Sequence, residues 1–408
     1  MARRQLPVLS PIAPAALGGA LGAVLMHRRR ALADVAASLT TTCGARQTLL
    51  TNSGTSALVL ALRLAVGEGK TVAFPGYACV DLAAAARLAK VRVRLYDLDP
   101  RTLSPELGSV AAVLSRGVDA VVIAHLYGFP ADVPAVSRLA AQAGVPVIED
   151  AAQAAGGTLL GRSLGSFGAL SVFSFGRGKG LSGGHGGALV CRDERFVSGL
   201  KHAAFRVGHP GWGWMDVATA GAQWALGRPS LYALPSALPG LRLGEMVYHP
   251  AREPRSLSIG AAALVRRALR SMSGDVSLRR RNAAALYVAA TEGSDIEPVA
   301  LLPGATSGFL RFPVVDSGGR VERPDMGIVR GYPRTLHEQE ELRPCLVPDE
   351  PATPGAAALR EGLFTLPTHE KVNADDIERM GEWLRVPTRI LMTFAPRTRR
   401  TEGSCRSA

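Results

Sequence analysis

The stretch Val147-Ile148-Glu149-Asp150-Ala151-Ala152-Gln153 is a short apolar run that ends in two carboxylates. Such a run predicts a strand buried in a parallel sheet, where ligands meet the carboxyl ends of the strands. Asp150 would then face a ligand, because it lies at the carboxyl end of the run. A carboxylate that caps a helix needs no ligand and explains the same residues, so this stretch alone leaves both interpretations open.

On both sides of this stretch, segments typical of strands alternate with segments typical of helices over residues 31–192. This spacing predicts βαβ units and a mainly parallel sheet with helices on both faces. The predicted strands are 48–50, 71–75, 91–98, 120–125, 145–149, 171–175 and 187–191, and the predicted helices are 31–40, 57–66, 82–88, 111–115 and 133–143.

A second polar stretch, residues 173–187, reads Phe-Ser-Phe-Gly-Arg-Gly-Lys-Gly-Leu-Ser-Gly-Gly-His-Gly-Gly. A strand here runs into a glycine-rich loop that contains one lysine, Lys179. A Schiff-base lysine must become neutral, so a crowded, partly desolvated loop with the nearby cation of Arg177 suits it. The GxxxxGK[ST] pattern of a phosphate-binding loop is absent, and a solvent-exposed turn is the remaining alternative.

A third stretch, Asn52-Ser53-Gly54-Thr55-Ser56, is a turn of small residues before a predicted helix. Free backbone N–H groups and the positive end of the helix dipole make such a turn an anion site that suits a phosphate. A serine that only caps the helix explains the same residues.

The composition limits the class of protein. Of 408 residues, 47% are hydrophobic and 20% charged, which is typical of a soluble globular chain. The net charge of +13 fits either anionic partners or an arginine-rich surface that binds none, and no nucleic-acid motif accompanies it. The five cysteines are widely spaced without a CxxC pair, which argues against a disulfide framework or a zinc site and fits a reducing cytoplasm.

In their order, these stretches resemble the DegT/StrS-type aminotransferases, a family of nucleotide-sugar aminotransferases that have the aspartate-aminotransferase fold. The resemblance covers about residues 51–193 and returns at Leu366-Pro367-Thr368-His369. It implies an α/β fold of the type I pyridoxal-phosphate-dependent transferases, with a smaller α+β C-terminal domain. The matching stretches are 52–58, 75–79, 96–100, 125–128, 130–132, 147–153, 173–179 and 186–187.

Carried over by position, the resemblance implies a role for six residues and a cofactor, pyridoxal 5'-phosphate. Lys179 would form the Schiff base and then move a proton, and Asp150 would pair with the pyridinium nitrogen. Gln153 would lie beside the ring near its phenolic oxygen, and the phosphate would be held by Gly54, Thr55 and Ser174. No metal is implied.

The same resemblance implies an aminotransferase that takes nitrogen from an amino-acid donor. The acceptor would be a keto group, expected on a nucleotide-linked sugar for polysaccharide or glycoconjugate synthesis. The protein would be a cytoplasmic homodimer without an integral membrane segment. Dehydratase-type relatives carry His in place of the lysine, a non-catalytic protein of the same fold is a further alternative, and a nicotinamide oxidoreductase lacks its GxGxxG pattern.

The chain departs from the family pattern at three places. The aromatic residue that stacks on the cofactor ring falls near Cys79, within Tyr77-Ala78-Cys79. The Asn-Tyr-Arg segment that reaches the neighbouring subunit is replaced by residues 248–258, and the substrate-side His falls at Leu310-Arg311. These departures weaken the expectation of a nucleotide-sugar substrate more than the expectation of the cofactor.

The domain organisation follows from breaks in the pattern. We expect an N-terminal arm over 1–30, a large cofactor-binding domain over 31–250 with a helical insert near 197–250, a small domain over 251–386 and a basic, disordered tail over 387–408. Prolines and the Arg28-Arg29-Arg30 run favour an extended arm followed by a helix over a signal peptide. In the small domain, we expect helices at 259–272 and 374–384 and a strand at 309–315.

Overall fold

The structure is a computed structural model that describes residues 4–9, 11–232, 247–271 and 275–385. Its α-helices are α1 (Pro14–Leu25), α2 (Arg30–Thr42), α3 (Gly54–Ala65), α4 (Asp81–Ala89), α5 (Leu107–Ser115), α6 (Val133–Gln142), α7 (Val197–Arg206), α8 (Trp214–Leu226), α9 (Ile259–Ser271), α10 (Asp275–Thr291), α11 (Pro354–Gly362) and α12 (Ala374–Arg385). Its strands are β1 (Gln47–Thr51), β2 (Thr71–Pro75), β3 (Arg92–Tyr96), β4 (Leu98–Asp99), β5 (Ser104–Pro105), β6 (Ala120–Ala124), β7 (Val147–Asp150), β8 (Thr158–Leu159), β9 (Arg162–Ser163), β10 (Leu170–Ser174), β11 (Gly187–Cys191), β12 (Ile296–Pro298), β13 (Ala305–Thr306), β14 (Arg311–Asp316), β15 (Val329–Arg330) and β16 (Leu363–Pro367).

A seven-stranded sheet forms the centre of the larger unit, in the order β1-β11-β10-β7-β6-β2-β3. Its strands run parallel except β11, which is antiparallel to both β1 and β10. The predicted fold, a mainly parallel sheet between helices, is confirmed.

Alternation along the strands explains why both faces of this sheet are covered. Val72 and Phe74 point to the face that carries α3 and α4, whereas Ala73 points to the opposite face with α5 and α6. At the other end of the sheet that opposite face is covered by α2 and α9, which pack on Val190 and its neighbours. Strands buried on both faces are apolar throughout, which is why they read as continuous apolar runs in the sequence.

A second, antiparallel sheet has the order β12-β14-β16-β15. Helices α10 and α12 pack on it through Tyr287 and Trp383. The predicted strand at 309–315 and helix at 374–384 lie here as β14 and α12. Helix α9 packs on α1 and α2 rather than on this sheet, so its contacts assign it to the larger unit. The predicted domain boundary at residue 250 stays a prediction.

The predicted N-terminal arm and helix are residues 4–9 and α1. Gln5 Nε2 donates to Asp376 Oδ2 at 2.8 Å, and the carbonyl of Leu6 accepts from His369 Nε2 at 2.9 Å, so the arm binds the smaller unit. The predicted helical insert contains α7 and α8, while its residues 233–246 and the predicted tail lie outside the described residues. Within the described ranges, no helix has the length and hydropathy needed to span a membrane.

Candidate active site

One cavity brings together all six site residues that the sequence predicts. It lies at the carboxyl ends of β7 and β10, against the start of α3. Gly54, Thr55, Asp150, Gln153, Ser174 and Lys179 line it, together with Leu58, Cys79, Asp81, Leu82, Ala124, His125, Leu126, Ala152, Val172 and Tyr332.

The start of α3 forms one wall of the cavity. Ser53 caps the helix, with its hydroxyl accepting from the backbone N–H of Ser56 at 3.0 Å. Gly54 lies so close to β10 that a Cβ there would come within 2.7 Å of the Cβ of Ser174. The first N–H groups of a helix have no acceptor inside it, so those of Gly54 and Thr55, with the Ser174 hydroxyl, form a cradle that fits a phosphate.

Asp150 forms the opposite wall at the carboxyl end of β7. Its Oδ1 accepts from the backbone N–H of Ala152 at 3.0 Å. Burial raises the pKa of this carboxyl above its ordinary value, while the Ala152 hydrogen bond and the charge of Lys179 act in the opposite direction. A carboxyl group in this position gains stability when a cation lies beside it, so it fits the protonated nitrogen of a pyridine ring.

The neighbouring carboxylate, Glu149, points away from the cavity into the protein. His125 Nε2 donates to it at 2.9 Å, while His125 Nδ1 accepts from the N–H of Ala131 at 3.0 Å, which fixes the tautomer. Burial by itself would raise the pKa of Glu149. Hydrogen bonds from His125 and from backbone N–H groups outweigh this effect, so the pKa of Glu149 lies below its ordinary value. This ion holds the imidazole of His125 rigidly against the cavity. The sequence analysis assigned Asp150 to the ligand but predicted no role for Glu149.

Lys179 lies in the loop between β10 and β11. Its backbone N–H donates to the carbonyl of Gly176 at 3.3 Å. Gly180 approaches Ala155 so closely that a Cβ would lie 2.7 Å from that side chain, which explains part of the glycine content of the loop. Arg177, the cation expected near the lysine, is exposed.

An ion pair joins the same loop to α8, with His185 Nδ1 3.2 Å from Asp216 Oδ1. The hydrogen bond to Asp216 raises the pKa of His185 above its ordinary value. The helical insert therefore braces the loop that carries the lysine.

Gln153 connects the cavity to a cluster of tyrosines. Its Oε1 accepts from the N–H of Tyr127 at 2.8 Å, and its Nε2 donates to the hydroxyl of Tyr332 at 2.7 Å. Tyr332 follows β15 of the smaller unit and lines the cavity, which the sequence did not predict; an isolated aromatic in Gly331-Tyr332-Pro333 was its only signal.

The position expected to carry the ring-stacking aromatic is Cys79, which lines the cavity. Its Sγ contacts Asp81 Oδ2 at 3.5 Å, and burial raises the pKa of the thiol. Tyr77 is fully buried behind it and accepts from the N–H of Tyr332 at 2.5 Å, so it is not among the cavity-lining side chains.

Comparison with known proteins shows which family the sequence resembles. Residues 26–206 match the model of the DegT/DnrJ/EryC1/StrS aminotransferase family. This region contains all six predicted site residues and every strand of the seven-stranded sheet.

Two curated relatives are similar to this chain over part of their length. The L-glutamine:2-deoxy-scyllo-inosose aminotransferase of Streptoalloteichus tenebrarius is 33% identical over 258 residues, which are 62% of this chain and 55% of the relative. The UDP-N-acetyl-3-dehydro-alpha-D-glucosamine 3-aminotransferase of Acidithiobacillus ferrooxidans is 37% identical over 163 residues, 38% of this chain and 44% of the relative. The chain thus spans about half the length of the curated relatives it matches.

Among solved structures, the aminotransferase TlmJ from Streptoalloteichus hindustanus superposes with a TM-score of 0.73 at 24% identity. The match covers 95% of this chain and 99% of that one. The likeness therefore extends into the smaller unit and supports the fold over the part of the chain that the match covers.

Proposed function

We propose that this chain, whose residues 26–206 match the model of the DegT/DnrJ/EryC1/StrS aminotransferase family, is a member of that family and a pyridoxal-phosphate-dependent aminotransferase. The observation that carries the proposal is that Lys179, Asp150, Gln153 and the cradle of Gly54, Thr55 and Ser174 line a single cavity. Pyridoxal phosphate is the cofactor of this family, and these groups match its phosphate, its ring nitrogen and its carbonyl.

When bound, the cofactor supplies an electron sink that makes a C–H bond of the substrate acidic. The chain's own residues provide the rest. The cradle at α3 would hold the phosphate, Asp150 would keep the ring nitrogen protonated, and Gln153 would orient the ring from its position between Tyr127 and Tyr332. Lys179 would hold the cofactor through Nζ and would also move the proton between carbon atoms.

We further propose that the nitrogen passes from an amino-acid donor to the keto group of a sugar, expected to be nucleotide-linked and used for polysaccharide or glycoconjugate synthesis. The name of one relative supports this class, since that enzyme acts on a UDP-linked sugar; the other relative acts on 2-deoxy-scyllo-inosose, a cyclic ketone without a nucleotide. The net charge of +13 also favours anionic substrates. We place the protein in the cytoplasm as a homodimer; the four cysteines in the described ranges are free, which fits a reducing compartment.

Two measurements test this function. The purified protein should show cofactor absorbance that changes when L-glutamine or L-glutamate is added and reverts when a keto acceptor follows. Borohydride reduction and peptide mapping should place the label on Lys179. Absorbance that no amino donor changes, or a label on another lysine, would contradict the proposal.

A further inference from the structure

The loop between β10 and β11, residues 175–186, closes on itself and packs on α9 at its base. We call it the lysine loop because it carries Lys179. The backbone N–H of Gly183 donates to the carbonyl of Phe175 at 2.9 Å and closes the loop. A Cβ on Gly183 would lie 2.9 Å from the carbonyl oxygen of Ala261, so the base of the loop touches the backbone of α9. A shift at this base therefore changes the position from which Lys179 reaches the cavity.

A charged pair fastens the same base to α8. His185 Nδ1 lies 3.2 Å from Asp216 Oδ1, and a Cβ on the adjacent Gly184 would lie 3.0 Å from the carbonyl oxygen of Asp216. The other carboxylate oxygen, Oδ2, accepts a hydrogen bond from the hydroxyl of Ser258. That hydroxyl in turn accepts from the backbone N–H of Ala261 at 3.1 Å, near the start of α9. His185, Asp216 and Ser258, which we call the clamp, thus join the lysine loop to α8 and α9.

The strength of the clamp depends on the charge of His185. The hydrogen bond to Asp216 raises the pKa of His185 above its ordinary value of 6.5, while burial and the cation of Arg177 act in the opposite direction. Asp216 is the acidic residue in the first turn of α8, and among the described residues the first turn of α9 contains none. Protonation of His185 thus sets a positive charge against the carboxylate, and a hydrogen bond between opposite charges is stronger than one from a neutral donor.

We propose that His185 is a positioning residue for Lys179, and that its protonation tightens the clamp on the lysine loop. The inference rests on the proposed function, because it takes Lys179 as the residue that holds the cofactor. A looser loop holds Lys179 in the binding arrangement for a smaller fraction of the time, and the apparent affinity for a ligand falls with that fraction.

The sign of the pH dependence follows from the direction of the pKa shift. The folded-state pKa of His185 lies above 6.5, so the contribution of the clamp is fully present below 6.5 and is lost as the pH rises through the folded-state pKa. Cofactor binding should therefore gain from the clamp at low pH and lose that gain at high pH.

The first test measures the lysine loop itself, without cofactor chemistry. Amide hydrogen exchange of residues 175–186 is followed by mass spectrometry at about pH 6 and about pH 9 in the unmodified protein and in His185→Gln. The side chain of His185 is 61% exposed, so solvent screens its charge. At the lower pH the loop amides should exchange about two- to fivefold faster in His185→Gln, the range for a solvent-exposed pair. At the higher pH the two proteins should exchange alike, because His185 has then lost its proton.

Further variants separate the charge of the clamp from its shape. His185→Lys keeps a positive charge at both pH values, so at about pH 9 its loop should exchange more slowly than that of the unmodified protein. Asp216→Asn removes the negative charge and should speed exchange at about pH 6 as His185→Gln does. Combining the two substitutions His185→Gln and Asp216→Asn should add nothing further, since both remove one interaction. His202→Gln is the control, because His202 is exposed on α7 and its ring nitrogen contacts the carbonyl of Ser198 in the same helix.

The second test links the clamp to the cofactor. The Kd for pyridoxal phosphate is measured by fluorescence titration of the cofactor-free protein between about pH 6 and about pH 9. The titrations of the cofactor and of Lys179 are common to all variants, so the ratio of two Kd values isolates the effect of His185. The Kd of His185→Gln divided by that of the unmodified protein should be about two to five at the lower pH and should fall towards one at the higher pH.

Two outcomes would overturn the inference. One is a Kd ratio that does not change with pH, which would leave His185 with a purely structural role. The other is loop exchange at about pH 6 that is alike in His185→Gln and the unmodified protein. A failure of the proposed function would show separately, as absent cofactor absorbance or a label on a lysine other than Lys179, and would leave the exchange result intact.

Discussion

Glu149 and Asp150 show how one step along a strand separates two carboxylates. Successive side chains of a strand point to opposite sides, so one carboxylate faces the cavity and the other faces the interior. Glu149 accepts hydrogen bonds from the backbone N–H groups of Gly165, Phe167 and Gly168 at 2.6, 2.8 and 2.9 Å. The pKa of Glu149 is lowered and that of Asp150 is raised, so the same functional group is structural at one position and available to a ligand at the next.

Glu149→Gln should destabilise the protein by about 3 kcal/mol or more, because an amide has one acceptor oxygen for several buried donors. Urea unfolding at neutral pH measures the change. Glu253→Gln is the control, since Glu253 forms an exposed ion pair with Arg63 and its loss should cost less than about 1 kcal/mol.

The pH dependence of this effect has a defined sign. The folded-state pKa of Glu149 is below the ordinary 4.5, so its contribution is present above that value and is lost as the pH falls through the folded-state pKa. The difference between the unmodified protein and Glu149→Gln should therefore shrink only in acid below pH 4.5. A difference that stayed constant down to pH 3 would show that the charge of Glu149 is not the source of the stabilisation.

Asp150→Asn should keep cofactor binding but lose most turnover, because a neutral amide cannot hold a protonated ring nitrogen. We expect a loss of several kcal/mol in activation free energy, where each ~1.4 kcal/mol is a tenfold change in rate. Single-turnover absorbance with L-glutamine measures the rate, and the cofactor spectrum verifies loading. A half-reaction rate close to that of the unmodified protein would remove Asp150 from the mechanism.

At the scale of elements, the phosphate cradle depends on close contact among α3, β10 and β11. Gly187 lets β11 pack on the chain before α3, since a Cβ there would lie 2.5 Å from the carbonyl oxygen of Ser53. Gly54 and Gly187 are thus required because a side chain would clash there, not because a turn needs a positive φ. Replacing either should move the N–H groups of the cradle.

Gly54→Ala tests this contact. Its Cβ would lie 2.7 Å from the Cβ of Ser174, so the start of α3 or the end of β10 must shift. We expect the Kd for pyridoxal phosphate to rise at least about tenfold, equivalent to ~1.4 kcal/mol, measured by fluorescence titration of the cofactor-free protein.

Gly18→Ala is the matched control for Gly54→Ala. Gly18 lies in α1 with open space around the position of a Cβ, so alanine there should stabilise the protein by about 0.5–1 kcal/mol and leave cofactor binding unchanged. Equal cofactor affinity in the two variants would show that the start of α3 does not hold the phosphate.

The elements of the larger unit could be predicted from the sequence because their signals are local. The predicted strands at 71–75 and 187–191 have the observed bounds of β2 and β11. Helix α3 begins at Gly54, three residues before its predicted start, because Ser53 already caps it. The prediction relied on the spacing of apolar residues, and the first turn of α3 consists of small residues, so this spacing could not locate the cap.

The contribution of the smaller unit to the site could not be predicted in the same way. Arg311 and Tyr332 meet Tyr127 only because β14 and β15 both pair with β16 and bring distant segments together. No spacing in the sequence encodes that pairing. Similarly, the contact of α9 with α1 and α2 joins segments that are far apart in the sequence. No local pattern predicts this contact, so the sequence contained little information about where one domain ends and the next begins.

At the scale of the whole molecule, several large apolar side chains are exposed on α1, α7, α8 and the segment before α8. Phe205 is 86% exposed, Met215 76% and Leu25 64%. The end of α1 adjoins this segment, since the rings of His27 and Trp212 lie 4.3 Å apart. Helices α1 and α8 are in contact, and large apolar side chains exposed on neighbouring helices mark an interface more often than an ordinary solvated face does.

We expect this surface to join two copies of the chain. In an isologous dimer the same patch lies on both subunits, so a single charged substitution acts twice at one interface. Light scattering should give twice the chain mass of 42.8 kDa for the unmodified protein, and Met215→Asp and Phe205→Asp should shift it towards the monomer.

Leu160→Asp is the control, because Leu160 is 63% exposed in the turn between β8 and β9, outside this patch. Because α8 braces the lysine loop through the ion pair of His185 and Asp216, the monomeric variants should also bind the cofactor more weakly. A monomeric mass for the unmodified protein at working concentration, with activity retained, would refute the dimer.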